Sequence, residues 1–396
     1  MPEFETWWLL AIPLFFGLGW FAARFDARQA GEAAQHKGLP DAYFRGLNFL
    51  LNEQSDQAID AFIEVMRIDP ETIELHFALG NLFRRRGETD RAIRVHQHLV
   101  DRADLDPAQR EQALFELGQD FWKAGLLDRA EDCFHRLEHS RFGLQSLQYR
   151  LEVAQAVRDW PQAIELAQRR QRESGESQAR LIAHFHCEQA VQLLESGEPQ
   201  PVADILCRLD EAERADPTHP RSWLLRGELA MREGDPAAAI DAWRQVQQGN
   251  AAWLTLVAPA WLAAFTALGR GEEGFAALEE VQRAHPSIDI FAALLDARAA
   301  SDGRADTVHW ARQALRQSPS LLGLYKLLEL QAGISGDGQR EAIELAREAI
   351  GTQARRLSRY VCTNCGFKAV HFYWQCPGCN HWDSYEPRRS EELERG

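Results

Sequence analysis

The sequence predicts an all-α chain: a solenoid of stacked helix pairs, with one apolar helix before it and one compact cysteine-rich module behind it. Three observations carry that reading. Residues 6 to 23 form an uncharged run, a self-similarity of 34 residues starts at Asp41, and Cys362, Cys365, Cys376 and Cys379 fall as two C-x-x-C pairs within 18 residues. Alternating β-branched segments, the mark of half-buried strands, are nearly absent before the cysteine pairs. At 396 residues the chain is long enough for two or three ordinary domains or for one elongated array. Its 44 Lys and Arg stand against 59 Asp and Glu, and a formal charge of −15 with no long basic block argues against nucleic acid as the main partner.

The first element is the run TWWLLAIPLFFGLGWFAA, Thr6 to Ala23, bounded by Glu3 and Glu5 on one side and by Arg24, Asp26 and Arg28 on the other. As a helix it spans about 27 Å at about 1.5 Å per residue, close to the hydrocarbon thickness of a bilayer. Trp7, Trp8 and Trp20 sit near its ends, where indoles prefer the membrane interface. A secretory signal would carry its positive charge before the apolar run and a small-residue cleavage site after it, and here the order is reversed. Residues 1–24 are therefore read as a transmembrane anchor and 25–39 as a juxtamembrane linker. Arg24, Arg28 and Lys37 on the far side place the amino terminus outside and the rest of the chain in the cytoplasm. Cys133, Cys187 and Cys207 lie without partners at useful spacing, as expected of buried thiols in a reducing compartment.

The array is predicted over residues 40–353. Gly46 and Gly80 are 34 apart, as are Ala58-Ile59 and Ala92-Ile93, and Asp69-Pro70 closes the first unit. A 34-residue period with a small residue midway along a first helix, an Ala in the second and a terminal Pro is the tetratricopeptide pattern. Small residues let paired helices approach closely, and each pair must stack on its neighbours to bury its apolar face. Gly118 with Ala130 and Gly227 with Ala239-Ile240 keep the 12-residue offset seen between Gly46 and Ala58. Trp160-Pro161, Asp216-Pro217, Pro286, Pro319 and Arg340-Glu-Ala-Ile343 mark later units, about nine in all by the period, with those between 140 and 215 least regular. Such arrays bind peptides and protein faces on an extended surface.

No catalytic or cofactor-binding residues are assigned within the array, and the chain is not expected to be an enzyme. His184-Phe-His186-Cys187 resembles a ligand set, yet alternate helical residues point to different faces, which favours packing or surface positions; His96 and His98 fail in the same way. Gly269-Arg-Gly271 and Gly336-Asp-Gly338 are inter-helix turns without the Lys-Ser/Thr of a phosphate loop. Glu272-Glu273, Glu279-Glu280 and Glu391-Glu392 are solvated faces. A nucleophile elbow and an H-E-x-x-H pattern are both missing from the sequence.

The last module, residues 354–387, is read as metal-binding. A C-x-x-C turn aims two sulfurs at one point, and two such turns supply four thiolates to a tetrahedral ion at Cys362, Cys365, Cys376 and Cys379. Gly366 follows the first pair where the knuckle needs positive φ, and Pro377 stiffens the second. Zinc and iron both accept tetrahedral sulfur, so the ion is zinc or iron. A closed four-sulfur site leaves no open coordination position and favours a structural role over a rubredoxin-type iron passing single electrons. Phe372, Tyr373, Trp374, Trp382 and Tyr385 load the segment with aromatics, which are expected to dock on the last helices of the array, because so small a module cannot fold alone. Residues 388–396 are a charged tail with no assignable role.

Anchor, repeats and knuckles in this order resemble the lipopolysaccharide assembly protein B family of the Gram-negative inner membrane. The resemblance covers essentially the whole chain. It is carried by GLNFLL at 46–51, LGNLFRRRGETDRAIRVHQ at 79–97, AGLLDRAEDCF at 124–134, AHFHCE at 183–188, and CTNCGF with YWQCPGC in the last module. It implies a rubredoxin-like metal site, with the four cysteines named above as ligands, packed against the repeats; the 10 residues from Gly366 to Gln375 between knuckles are far fewer than in true rubredoxins. It further implies an adaptor at the cytoplasmic face of the inner membrane that links the FtsH protease to the LpxC deacetylase, so that LpxC is degraded when lipopolysaccharide is sufficient. A YejM-type inner-membrane regulator opposes this through the membrane segment. Two other readings stay open at this stage, a scaffold for lipopolysaccharide synthesis or export enzymes without a proteolytic role and an iron redox protein. A homodimer through stacked array edges is compatible with the sequence.

Overall fold

The computed structural model describes residues 41–52, 54–68, 72–196, 201–301 and 303–393. The predicted anchor and linker lie outside the described residues, as does Glu394 of the tail. Among the described residues no single helix is long and apolar enough to cross a membrane. The chain divides into two compact units, one ending at Val157 and one running from Arg158.

The first unit contains α1 (Asp41–Leu51), α2 (Ser55–Ile68), α3 (Ile73–Arg85), α4 (Thr89–Asp101), α5 (Pro107–Lys123), α6 (Leu127–Arg136) and α7 (Gly143–Ala156). The glycine of each first helix meets a ring 16 residues later on the second. Gly46 lies under Phe62, Gly80 under His96 and Gly118 under Phe134, so close that a Cβ would overlap the ring in each case. This close approach, not backbone freedom, is why the period selects glycine there. In the second and third pairs the turn is a glycine of positive φ, Gly87 at 78° and Gly125 at 76°. One pair uses a histidine as its ring. His96 is fully buried, and its Nδ1 bonds the equally buried Asp120 on α5, whose other oxygen accepts from Arg84 at 2.8 Å. Arg84 also binds Glu116 at 2.6 Å, so the buried carboxylate is matched in charge and hydrogen bonds.

The second unit begins with α8 (Trp160–Ser174), α9 (Ala179–Glu195), α10 (Val202–Ala215), α11 (Pro220–Arg232) and α12 (Pro236–Asn250). A 3₁₀ turn, Ala251–Leu256, leads into α13 (Ala258–Ala267), α14 (Gly271–Ala284), α15 (Ile288–Ser301), α16 (Arg304–Gln317), α17 (Leu321–Ala332) and α18 (Asp337–Leu357). Asp159 and Asp235 each cap a helix with a proline in its first turn, Pro161 and Pro236, accepting from Gln162 N at 3.1 Å and Ala238 N at 3.0 Å. The core is built on Trp243, Trp261, Phe265, Leu278 and Leu294. Gly227 repeats the glycine–ring contact against Trp243, whose Nε1 donates to Leu224 O at 3.2 Å. α18 continues through residue 353 to Leu357, and the cysteine module follows with a two-residue antiparallel pair, β1 (Tyr360–Val361) and β2 (Lys368–Ala369), in the register Tyr360 opposite Ala369.

The carboxy-terminal tail has a place in this unit. Its described residues include the short helix α19 (Ser390–Leu393). Glu391 is 4% exposed and accepts from Ser320 Oγ at 3.0 Å, Leu321 N at 2.6 Å and Leu322 N at 3.0 Å, at the amino end of α17. Glu392 accepts from Ile288 N at the amino end of α15 and from Arg389 N at 2.7 Å. Both carboxylates therefore sit where free N–H groups and the helix dipole favour negative charge. Glu391→Ala is expected to cost about 1–2 kcal/mol and to speed amide exchange at Leu321 and Leu322 first. Hydrogen exchange that is unchanged at those two amides would show that the carboxylate does not hold the cap.

Candidate metal centre

The two knuckles are built alike. In the first, Cys365 N points at Cys362 Sγ at 3.5 Å, and Gly366 N closes the turn on Cys362 O at 2.9 Å with φ of 75°. In the second, Gly378 N points at Cys376 Sγ at 3.4 Å, and Asn380 N closes on Cys376 O at 2.8 Å with φ of 58°. Asn380 thus occupies the position of Gly366, in the left-handed conformation that asparagine tolerates better than most residues. Bridges from Cys362 to Tyr385 and from Gln375 to Trp382 hold the knuckles face to face.

The four predicted ligands are brought together. Cys362 Sγ lies 3.7 Å from Cys379 Sγ, Cys365 Sγ lies 3.8 Å from Cys376 Sγ, and all four sulfurs are within 4.8 Å of one another as free thiols. Sulfurs about 2.3 Å from a tetrahedral ion are separated by about 3.8 Å, so the donor set is spaced to hold one ion. Burial alone would push the Cys362 thiol up, but hydrogen bonding from Ser384 and from the N–H groups of Cys365 and Asn364 brings it down to about 6. Asn364 Nδ2, 3.4 Å from Cys379 Sγ, and the His381 N–H lower Cys379 as well. Cys365 behaves oppositely. A backbone hydrogen bond from Phe367 favours its thiolate, yet lost hydration and the neighbouring sulfurs push it up to about 12. Four adjacent thiolates repel one another, and a bound dication is what allows all of them to shed their protons.

The module does not rest on the last helices, as the sequence suggested. Trp374 stacks on Trp253 of the 3₁₀ turn, with centroids 4.9 Å apart, and Phe372 meets the same indole edge-on at 5.7 Å. Trp382 packs on Trp160 of α8 and on His184 and Phe185 of α9. Asp383, held at φ of 52°, pairs with Arg180 and His184, while Arg389 grips Asp289 through two bonds of 2.8 and 2.9 Å. The contacts on the array recur at its own period. His184, His219, Trp253, Ile288 and Ser320 are 32 to 35 residues apart, one from each successive repeat, so the module and tail lie along a row of equivalent positions. A row of that kind comes from stacking alone and has no local signature in the sequence.

Other sequence candidates fall as follows. His98 is exposed, His186 faces Glu211 at 3.2 Å, and His96 serves the buried ion pair of the first unit. Cys133 and Cys187 are buried, and burial pushes their thiols up to about 11 and about 12. Cys207, expected to be buried, is exposed. His219 and Asp383, which no sequence motif marks, converge on His184 from distant segments.

The rubredoxin metal binding domain family matches residues 360–387, and a tetratricopeptide repeat family matches residues 75–111. The chain is 32% identical over 382 residues to lipopolysaccharide assembly protein B of Escherichia coli K12, covering 96% of this chain and 97% of that protein. It is 28% identical over 397 residues to the protein of that name from Haemophilus influenzae, covering 97% and 98%. Among solved structures, pilF of Pseudomonas aeruginosa matches with a TM-score of 0.31 and 17% identity, over 54% of this chain and 93% of that one.

Proposed function

This chain belongs to the lipopolysaccharide assembly protein B family, and on that premise we propose that it is a non-enzymatic adaptor in lipopolysaccharide assembly, tethered to the inner membrane and promoting degradation of the LpxC deacetylase by the FtsH protease. The observation that carries the proposal is the end-to-end similarity, which takes in the array and the cysteine module together. The chemistry of the site is in keeping with it. Four sulfurs complete the coordination of one ion and leave no position for substrate, so the ion, zinc or iron, acts as a structural rivet for the docked module. The anchor of residues 1–24 confines the array to the plane in which a membrane protease works and raises its effective concentration there. Arg24, Arg28 and Lys37 orient the bulk of the chain toward the cytoplasm. A YejM-type inner-membrane protein meets the anchor and opposes degradation.

The test is the lifetime of LpxC after protein synthesis is blocked, in cells with the intact protein, without it, and with residues 1–24 removed. Rapid loss of LpxC is expected only with the intact form. An equal lifetime in all three overturns the proteolytic role and leaves a scaffold for the synthesis or export enzymes, which would then co-purify with the chain.

A further inference from the structure

The seam between the repeats and the cysteine module holds a second convergence of ligand atoms. His184 on α9, His219 at the amino end of α11 and Asp383 in the loop after the second knuckle each aim one donor atom into a space where all three lie within 4.8 Å of one another. His184 Nε2 is 3.2 Å from His219 Nε2 and 3.0 Å from Asp383 Oδ1. Nitrogen and oxygen donors about 2.0–2.1 Å from one tetrahedral ion are separated by about 3.3 Å. We propose that His184, His219 and Asp383 form a second divalent-metal site, suited to zinc or a similar borderline ion, that ties the module to the array.

A proton serves this arrangement poorly. If His184 Nε2 carries hydrogen, that one proton is divided between Asp383 Oδ1 and a bare His219 Nε2, and the hydrogen then on His219 Nδ1 is buried without an acceptor. If it is bare, it can accept from His219 but then sets a lone pair against the carboxylate. Asp383 Oδ1 correspondingly lacks a directed hydrogen bond, although it is within ion-pair distance. A metal ion resolves both contacts at once. Both imidazoles are fully buried, and burial keeps them neutral, the form in which they bind metals. Trp374 and Trp382 pack on the His184 ring and fix its plane. Arg180 takes Asp383 Oδ2, which leaves Oδ1 to face the histidines.

The charges that face the site set its strength. Arg180 is paired with Asp383 and Arg221 with Glu188 at 2.7 Å, so the protein's own charges cancel in pairs. With one carboxylate and two neutral imidazoles as ligands, this site binds more weakly than the four-thiolate centre and is emptied first by a mild chelator. Its ligands come from the array and the module together, so an ion here binds only the docked form and stabilises docking by mass action.

The experiment is equilibrium dialysis of the purified full-length chain against zinc, followed by elemental analysis. Wild type is expected to hold two equivalents, and His184→Gln/His219→Gln one. A single equivalent in wild type at saturating zinc overturns the proposal without reference to any variant, and so does a second equivalent retained by the double variant. Cobalt distinguishes the donors. The weaker equivalent is expected to add visible ligand-field bands without a new sulfur charge-transfer band, and a sulfur band on that equivalent assigns it to a cysteine and refutes the histidine site.

Discussion

Replacing Cys362 and Cys365 by serine is expected to release the metal and unfold the carboxy-terminal module. The module's own core is Tyr360, Cys362, Ala369, Cys376 and Tyr385, two of which are ligands, so little apolar area is left to hold it without the ion. Structural zinc contributes on the order of 10–16 kcal/mol to small domains of this kind, far above what the stack of Trp374 on Trp253 can replace. Tryptophan emission should shift to the red as Trp374 and Trp382 lose their partners. Amide exchange should rise across residues 360–387, with the helices of the first unit unaffected. The same end point is approached with acid. All four thiols must be deprotonated to bind, and Cys365 lies at about 12 without the ion, so metal uptake at neutral pH releases protons. Affinity therefore falls as pH falls, and a chelator should strip the site faster at pH about 6 than at about 8. Native exchange rates in the metal-free double variant would refute the assignment of the ion as the module's main support.

In the array the largest single effect is expected at Trp243. The side chain is fully buried and spans from the core to the Leu224 carbonyl, and Trp243→Ala should cost about 3–5 kcal/mol, read as a fall in the urea midpoint by circular dichroism. Gly227→Ala should cost about 1–3 kcal/mol for the opposite reason, because its new methyl overlaps the indole. The double variant distinguishes packing from general damage. Once the indole is gone, the methyl at 227 projects into vacated space, so the combined loss should be smaller than the sum. Strict additivity would mean that the two residues do not oppose one another across the helix pair.

These two predictions rest on features of different legibility. The glycine–ring contacts could be anticipated because close helix packing imposes a period, and Gly46, Gly80, Gly118 and Gly227 keep it. The four thiols were equally open to reading, since each C-x-x-C pair encodes its own turn. Asn380 was harder to see, because its left-handed conformation is set by the second knuckle and not by its residue type. The expected division of faces did occur in α9, with His184 toward the module and His186 toward Glu211. Helix periodicity relates only neighbours in sequence, whereas the partners of His184 are supplied by α11 and by the loop at Asp383. Glu391 and Glu392 resembled ordinary solvated acids for the same reason: the helix ends that bind them lie about 70 and 100 residues upstream.

Solenoids ordinarily change by gaining or losing whole repeats, because each unit contacts only its neighbours. Here that freedom is unequal along the chain. A segment of fixed length, from Trp374 to Glu392, meets every repeat from His184 to Ser320, so one additional or missing unit in that interval would carry every later anchor past its partner. The copy number between α9 and α17 is thereby counted against the length of the segment lying over it, and a duplication there would have to be matched by an equal extension of the module or tail.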